Sequence, residues 1–196
     1  MARGKFWAAA ALSVVLMAQP AAAGWKLVPA KAATNSVGIG VTPQTDWNLA
    51  TGKIGPQATG WTHDGFELNA LQFFGGVPAG GTLYKERDKK RNPHPKFDKD
   101  ALLPDLVDLF ERSFRVEYNV SDFKLIEVKP AELAGRKAIR ARYTYTLPND
   151  DLVRVGEVRL TTNKSKLYAI NFFAPSLHYF DAGLPEALAI MDGAKF

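Results

Sequence analysis

The sequence contains no cysteine. Disulfide staples, thiol nucleophiles, Cys-ligated zinc and dithiol redox chemistry are therefore excluded, and stability has to come from packing alone. Histidine is scarce as well. His63, His94 and His178 lie far apart in the chain and outside any H-E-x-x-H pattern, so no metal site is expected. The chain also lacks a G-x-S-x-G elbow, an S-x-x-K pair, a G-x-x-x-x-G-K-[ST] loop and a G-x-G-x-x-G after a strand. Those absences leave no catalytic residue to name and no cofactor to expect. There is no internal repeat and no low-complexity tract, and past residue 18 no run is long and apolar enough to span a bilayer.

What is present begins at the N-terminus. Arg3 and Lys5 precede an apolar run from Phe6 to Ala18 broken only by Ser13, and Ala21-Ala22-Ala23 follow Pro20. A basic start, an apolar stretch and a small-residue triplet have the form of a secretory signal peptide. As a helix the stretch is about 20 Å long, too short for a hydrocarbon core of about 30 Å. Cleavage after Ala23 is expected, which makes residues 1–23 a signal peptide and residues 24–196 a single domain, periplasmic or secreted. The formal net charge is +5; without Arg3 and Lys5 it is +3. A mildly basic exported chain suits an anionic envelope, and nucleic acid is not an expected partner.

Periodicity then sets the fold class. Val37, Ile39 and Val41 alternate with small or polar residues as one strand, and residues 42–57 read as loop with Trp47 as an anchor. Asp64-Gly65 predicts a two-residue hairpin turn, which opposes His63 to Phe66 and Trp61 to Leu68. A change of apolar phase after Ala70 predicts a bulge. Leu103, Leu106, Val107, Phe110 and Phe114 recur at helical steps behind a cap at Asp98 or Asp100, with Pro104 in the first turn. Ile139, Ala141, Tyr143 and Tyr145 alternate strictly. Pairing them with the next strand through a three-residue loop predicts Tyr145 opposite Val153, a bulge at Gly156, and then Arg142–Glu157, Ala141–Val158 and Ile139–Leu160. Residues 167–174 are apolar on both parities, the mark of a central strand covered on both faces. A second helix follows, with Leu184, Ala187, Leu188 and Met191 on one stripe and Pro185 in its first turn. The expected class is α+β: a mostly antiparallel twisted sheet with helices packed on it.

Two stretches invite a functional reading. His63 and Asp64 adjoin, but neighbours on a strand point to opposite faces, so a turn with a structural histidine is the plainer reading of "WTHDG". A hydrolase site assembled around His63 from distant residues is the alternative. The run from Lys85 to Phe97 carries Lys85, Arg87, Lys89, Lys90 and Arg91, with Pro93 and Pro95 barring a regular element. It reads either as a solvated loop or as a contact for an anionic lipid head group, glycan or acidic protein patch. The candidate binding residues are accordingly Lys85, Arg87, Lys89, Lys90 and Arg91, with Trp61 and His63. Arg140, Arg142 and Arg159 extend that basic surface if the loop folds over them. A third reading is a small-molecule carrier using Trp61, Phe73, Tyr143 and Tyr145, aromatics that otherwise serve as core.

The stretch "LYAINFFAPSLHYFDAGLPEALAIMDGAKF", residues 167–196, in its place after the helix and the meander, resembles the fold shared by PsbP-like and Mog1-type proteins. The resemblance covers about half the chain. It implies a sheet covered by helices and proteins that act by binding partners rather than by catalysis. Together these readings point to an exported, non-enzymatic binding or accessory protein whose partner is an envelope protein or an anionic envelope component.

Overall fold

The order of residues along the chain builds one large sheet from both ends inward. The computed structural model describes residues 24–120 and 122–196. The expected signal peptide, residues 1–23, lies outside the described residues. Ten strands form: β1 (Trp25–Val28), β2 (Thr34–Ser36), β3 (Ile39–Val41), β4 (Trp47–Ala50), β5 (Ala58–Thr62), β6 (Ala70–Val77), β7 (Asp122–Leu133), β8 (Arg136–Leu147), β9 (Asp150–Asn163) and β10 (Lys166–Pro175). The helices are α1 (Leu103–Tyr118) and α2 (Tyr179–Asp192). Eight strands make an antiparallel sheet in the order β1-β4-β5-β6-β10-β9-β8-β7, and β2 and β3 form a separate hairpin. The α+β class and the order helix, meander, buried strand, terminal helix are as expected. No helix among the described residues is long and apolar enough to cross a membrane.

The sheet separates two cores. On one face α1 lays Leu106, Val107, Phe110 and Phe114 against Phe74, Tyr143, Val158 and Phe173. On the other, α2 packs Phe180, Ala187, Ile190 and Met191 against Leu71, Phe73, Ile170 and Phe172. β10 lies between β6 and β9 and sends Ala169 and Phe173 to the first core, Ile170 and Phe172 to the second. This two-sided burial is what its continuous apolar sequence predicts. β6 has the same position next to β10, which explains its change of phase. Ala70 and Phe74 serve one core, Leu71 and Phe73 the other, and no bulge follows Ala70; the register shift falls instead between Leu167 and Tyr168, opposite Gly75 and Val77.

Several local expectations are corrected. Val37 is not in a strand. With Gly38 it forms the turn between β2 and β3, both at positive φ (48° and 87°), the geometry that matches the twist of a two-residue hairpin. The turn sits on β6 at Gly75, where a Cβ would come within 1.9 Å of the Val37 carbonyl oxygen. Trp47 opens a sheet strand, not a loop, and is fully buried. α1 starts later than the Asp98 or Asp100 cap implies. The Asp105 carboxylate accepts the Leu102 N–H at 2.8 Å, while Asp98 accepts the Asp100 N–H in the turn before it. α2 starts earlier, so Pro185 lies inside the helix rather than in its first turn. In the β8–β9 hairpin the far pairs Arg142–Glu157, Ala141–Val158 and Ile139–Leu160 are as expected, but the turn is tighter. Leu147 opposes Asp150 and Tyr145 opposes Arg154, so the irregularity sits beside the turn and Gly156 faces Tyr143 directly. A Cβ on Gly156 would lie 2.2 Å from Tyr143 Cζ, so the glycine makes room for the ring.

Candidate functional site

The expected Asp64-Gly65 hairpin turn is replaced by a seven-residue loop, because Trp61 pairs with Leu71 rather than Leu68. Gly65 does take a positive φ of 104°. The loop is closed by Asn69, whose Oδ1 accepts from Thr62 Oγ1 (2.8 Å) and from the His63 N–H (2.7 Å) and whose Nδ2 donates to Asp64 Oδ2 (2.7 Å). Asp64 is thereby engaged away from the His63 ring. That ring stacks 3.7 Å from the Trp47 ring and places Nε2 3.4 Å from Thr45 Oγ1. Trp61 is fully buried between Trp47 and Phe73. The ring thus meets the Thr45 hydroxyl, while Asp64 is held by Asn69 and no carboxylate among the described residues bonds the imidazole to complete a hydrolytic triad.

The basic run does form a shaped surface. Residues 78–102 cross the α1 side of the sheet, anchored by Leu83, Tyr84 and Phe97 in the core beneath. The segment is braced by its own acids. Glu86 Oε1 accepts the His94 N–H at 2.7 Å, and Asp88 Oδ1 accepts the Arg91 N–H at 3.1 Å. Arg87 reaches away to α1 and donates to Glu117 Oε1 at 2.6 Å. Lys85, Lys89 and Lys96 instead line a cleft of about 710 Å³ with Thr82, Glu86 and His94. None of the three lysines has an ion-pair partner among the described residues. A lysine ammonium is a mobile point charge with three donors, suited to an anion without demanding one geometry.

Beneath the cleft lies a buried layer the sequence did not mark. The His94 ring is 3 % exposed and its Nε2 approaches Glu117 Oε2, at the end of α1, to 3.5 Å. Burial lowers the imidazole pKa and raises that of the Glu117 carboxyl, which Arg87 partly offsets. Each change disfavours the charged form, so the contact is a weak ion pair at most. His94 Nδ1 has no hydrogen-bond partner among the described residues. Next to it Tyr84 donates to Gln72 Oε1 (2.9 Å), Gln72 Nε2 donates to the Tyr118 hydroxyl (2.6 Å), Asn171 Nδ2 donates to Gln72 Oε1 (3.1 Å), and Tyr143 donates to Asn171 Oδ1 (2.8 Å). This satisfied network ties loop, α1, β6, β8 and β10 together and fixes the cleft floor.

The structure thus brings Lys85 and Lys89 together in the cleft and adds Lys96 and His94. Lys90 and Arg91 point to solvent on the outer turn, Arg87 is paired with Glu117, and Trp61 and His63 belong to the opposite core. His94, set between Pro93 and Pro95 inside the basic run, carried the one available signal, a lone imidazole where the chain has no regular structure. Glu117 carried none, being an ordinary helix-face acid in sequence. The arginines do not extend this surface. Arg142 lies over the Phe180 ring of α2 and Arg159 pairs with Asp192 at 2.5 Å, on the other face of the sheet.

Fold and cleft together define a cysteine-free α+β sheet protein with a lysine-lined cleft beside the end of its first helix. Among solved structures the chain is similar to cyanobacterial PsbP (CyanoP) from Synechocystis sp. PCC 6803, at 15% identity over 87% of this chain and 81% of that one, with a TM-score of 0.47. It is also similar to LpqN, described as involved in cell envelope biogenesis of Mycobacterium tuberculosis, at 13% identity over 88% of this chain and 78% of that one, with a TM-score of 0.34. No family model matches the chain, and no curated protein matches it.

Proposed function

We propose that this is an exported, non-catalytic binding protein of the cell envelope, periplasmic or secreted, that captures an anionic envelope component in the cleft of Lys85, Lys89 and Lys96. The observation that carries the reading is the set of three unpaired lysines around one braced concavity. Charge held by a pre-formed scaffold loses little entropy on binding, whereas a solvated loop would have to be ordered first. Export is supported by the basic start, the Phe6–Ala18 run and Ala21-Ala22-Ala23. A non-catalytic role is supported by the absence of the recognised catalytic motifs and by the engaged state of His63 and Asp64.

The test is capture from envelope extracts by the purified protein, before and after Lys85→Glu, Lys89→Glu and Lys96→Glu are combined. Capture should be lost in that triple variant, retained in a Lys90→Glu, Arg91→Glu control, and weakened by salt in the unmodified protein. Equal capture by the triple variant and the control would overturn the cleft as the binding surface.

A further inference from the structure

A second cavity, of about 450 Å³, is lined by Tyr118 from the last turn of α1 and shares no residue with the lysine cleft. Four aromatic rings line it: Phe66 from the loop after β5, Tyr118 from the last turn of α1, Tyr145 from β8 and Phe173 from β10. Tyr118 and Tyr145 meet Phe173 nearly edge to face, at 5.5 Å and 72° and at 5.9 Å and 78°. The rings therefore stand as fixed walls at right angles. The size falls within the range of small-molecule pockets, about 300–1,000 Å³.

One hydroxyl in these walls is unusual. Tyr84 and Tyr143, both buried, and the partly buried Tyr118 each have a hydrogen-bond partner in Gln72 or Asn171. The Tyr145 ring is buried, but its hydroxyl has no protein partner among the described residues and is not itself fully buried, so it opens into the slot. A phenol facing an aromatic-walled slot offers one donor and one acceptor to whatever enters it, in place of water. At the mouth Arg154 donates to Asp150 at 2.7 Å and lies over the Tyr145 ring at 5.9 Å. That pair neutralises itself, which leaves the slot no net charge to offer except the exposed Glu67 at the rim.

We propose that this slot binds a small, flat, uncharged ring compound bearing one oxygen that hydrogen-bonds to Tyr145. The aromatic walls supply edge and face contacts, and the hydroxyl fixes orientation. The site is independent of the lysine cleft and of any charge on the ligand.

The probes are phenol, toluene, benzoate and benzyltrimethylammonium, titrated into the purified protein and followed by heteronuclear NMR. Phenol should bind saturably, with shifts centred on Tyr118, Tyr145 and Phe173. Tyr145→Phe, which keeps the ring, should weaken phenol about three- to tenfold and leave toluene unchanged. A second variant, Leu147→Trp, fills the slot from its half-buried wall and should abolish both, with an unchanged folded spectrum. Absence of saturable shifts with phenol, equal loss of phenol and toluene in Tyr145→Phe, or tighter binding of either charged probe would overturn the proposal.

Discussion

Asn69 carries more of the local structure around residues 60–77 than the His-Asp pair beside it. Its amide satisfies Thr62, which is 1 % exposed, the His63 N–H and Asp64 together. Asn69→Ala leaves a buried hydroxyl and a backbone donor without their acceptor, a loss of about 2 kcal/mol or more. Urea unfolding should show a lower midpoint with an unchanged slope. A change under about 0.5 kcal/mol would mean that water takes over the amide's role. The Asp64-Gly65 signal was legible in part, since Gly65 does adopt positive φ. It lost the register because turn preference is local, whereas Trp61 and Leu71 each gain about 1.5–3 kcal/mol by facing the second core. Of the candidate site residues, Lys85 and Lys89 were legible as charge. His94 and Glu117 were not, because their meeting depends on how the 78–102 segment crosses α1.

At the scale of elements, α1 and that segment meet through two groups whose titrations oppose each other. Burial raises the Glu117 pKa above its usual 4.5, so the folded protein holds that proton more tightly than the unfolded chain. This contribution is fully present below the usual carboxylate pKa and is lost as pH rises through the raised value. Burial lowers the His94 pKa from 6.5, so the folded protein holds that proton less tightly. Its contribution is present above about pH 6.5 and is lost as pH falls through the lowered value. Between the carboxylate range and pH 6.5 the two slopes therefore oppose each other. Glu117→Gln removes the first and leaves Arg87 in water, at little cost for so exposed a side chain. The melting temperature of the variant should therefore rise more steeply with pH, from about 5 to 6.5, than that of the unmodified protein. A parallel or shallower dependence would show that Glu117 titrates normally. The helices and central strands themselves were legible, since α1 and β10 follow apolar periodicity alone. Their ends were not. Leu102 is capped through Asp105, and Pro185 is accommodated inside α2, both details of backbone packing rather than of pattern.

Over the whole molecule the sheet works as a partition. The cleft, the braced segment and α1 lie on one face, and the arginine cluster under α2 lies on the other. Glu157 is fully buried there, accepting from Arg142 Nε at 3.0 Å and its terminal nitrogen at 2.7 Å, with Arg140 Nε 4.0 Å away. The far β8–β9 register that creates this pair was readable from the sequence, yet the covering of its face by α2 was not, because alternation alone does not say which side a helix takes. The partition makes stability and binding separable. Glu157→Gln strips the countercharge from partly buried arginines and should cost about 2 kcal/mol, below the 3–5 kcal/mol of a fully buried pair because Arg142 keeps some water. Its thermal midpoint should fall while the capture proposed for the cleft, measured below that midpoint, stays at the level of the unmodified protein. The lysine reversals should do the opposite, abolishing capture with little change in midpoint, since exposed unpaired charges add little to folding. Loss of capture in folded Glu157→Gln would mean that the arginine face, and not the lysine cleft, meets the partner.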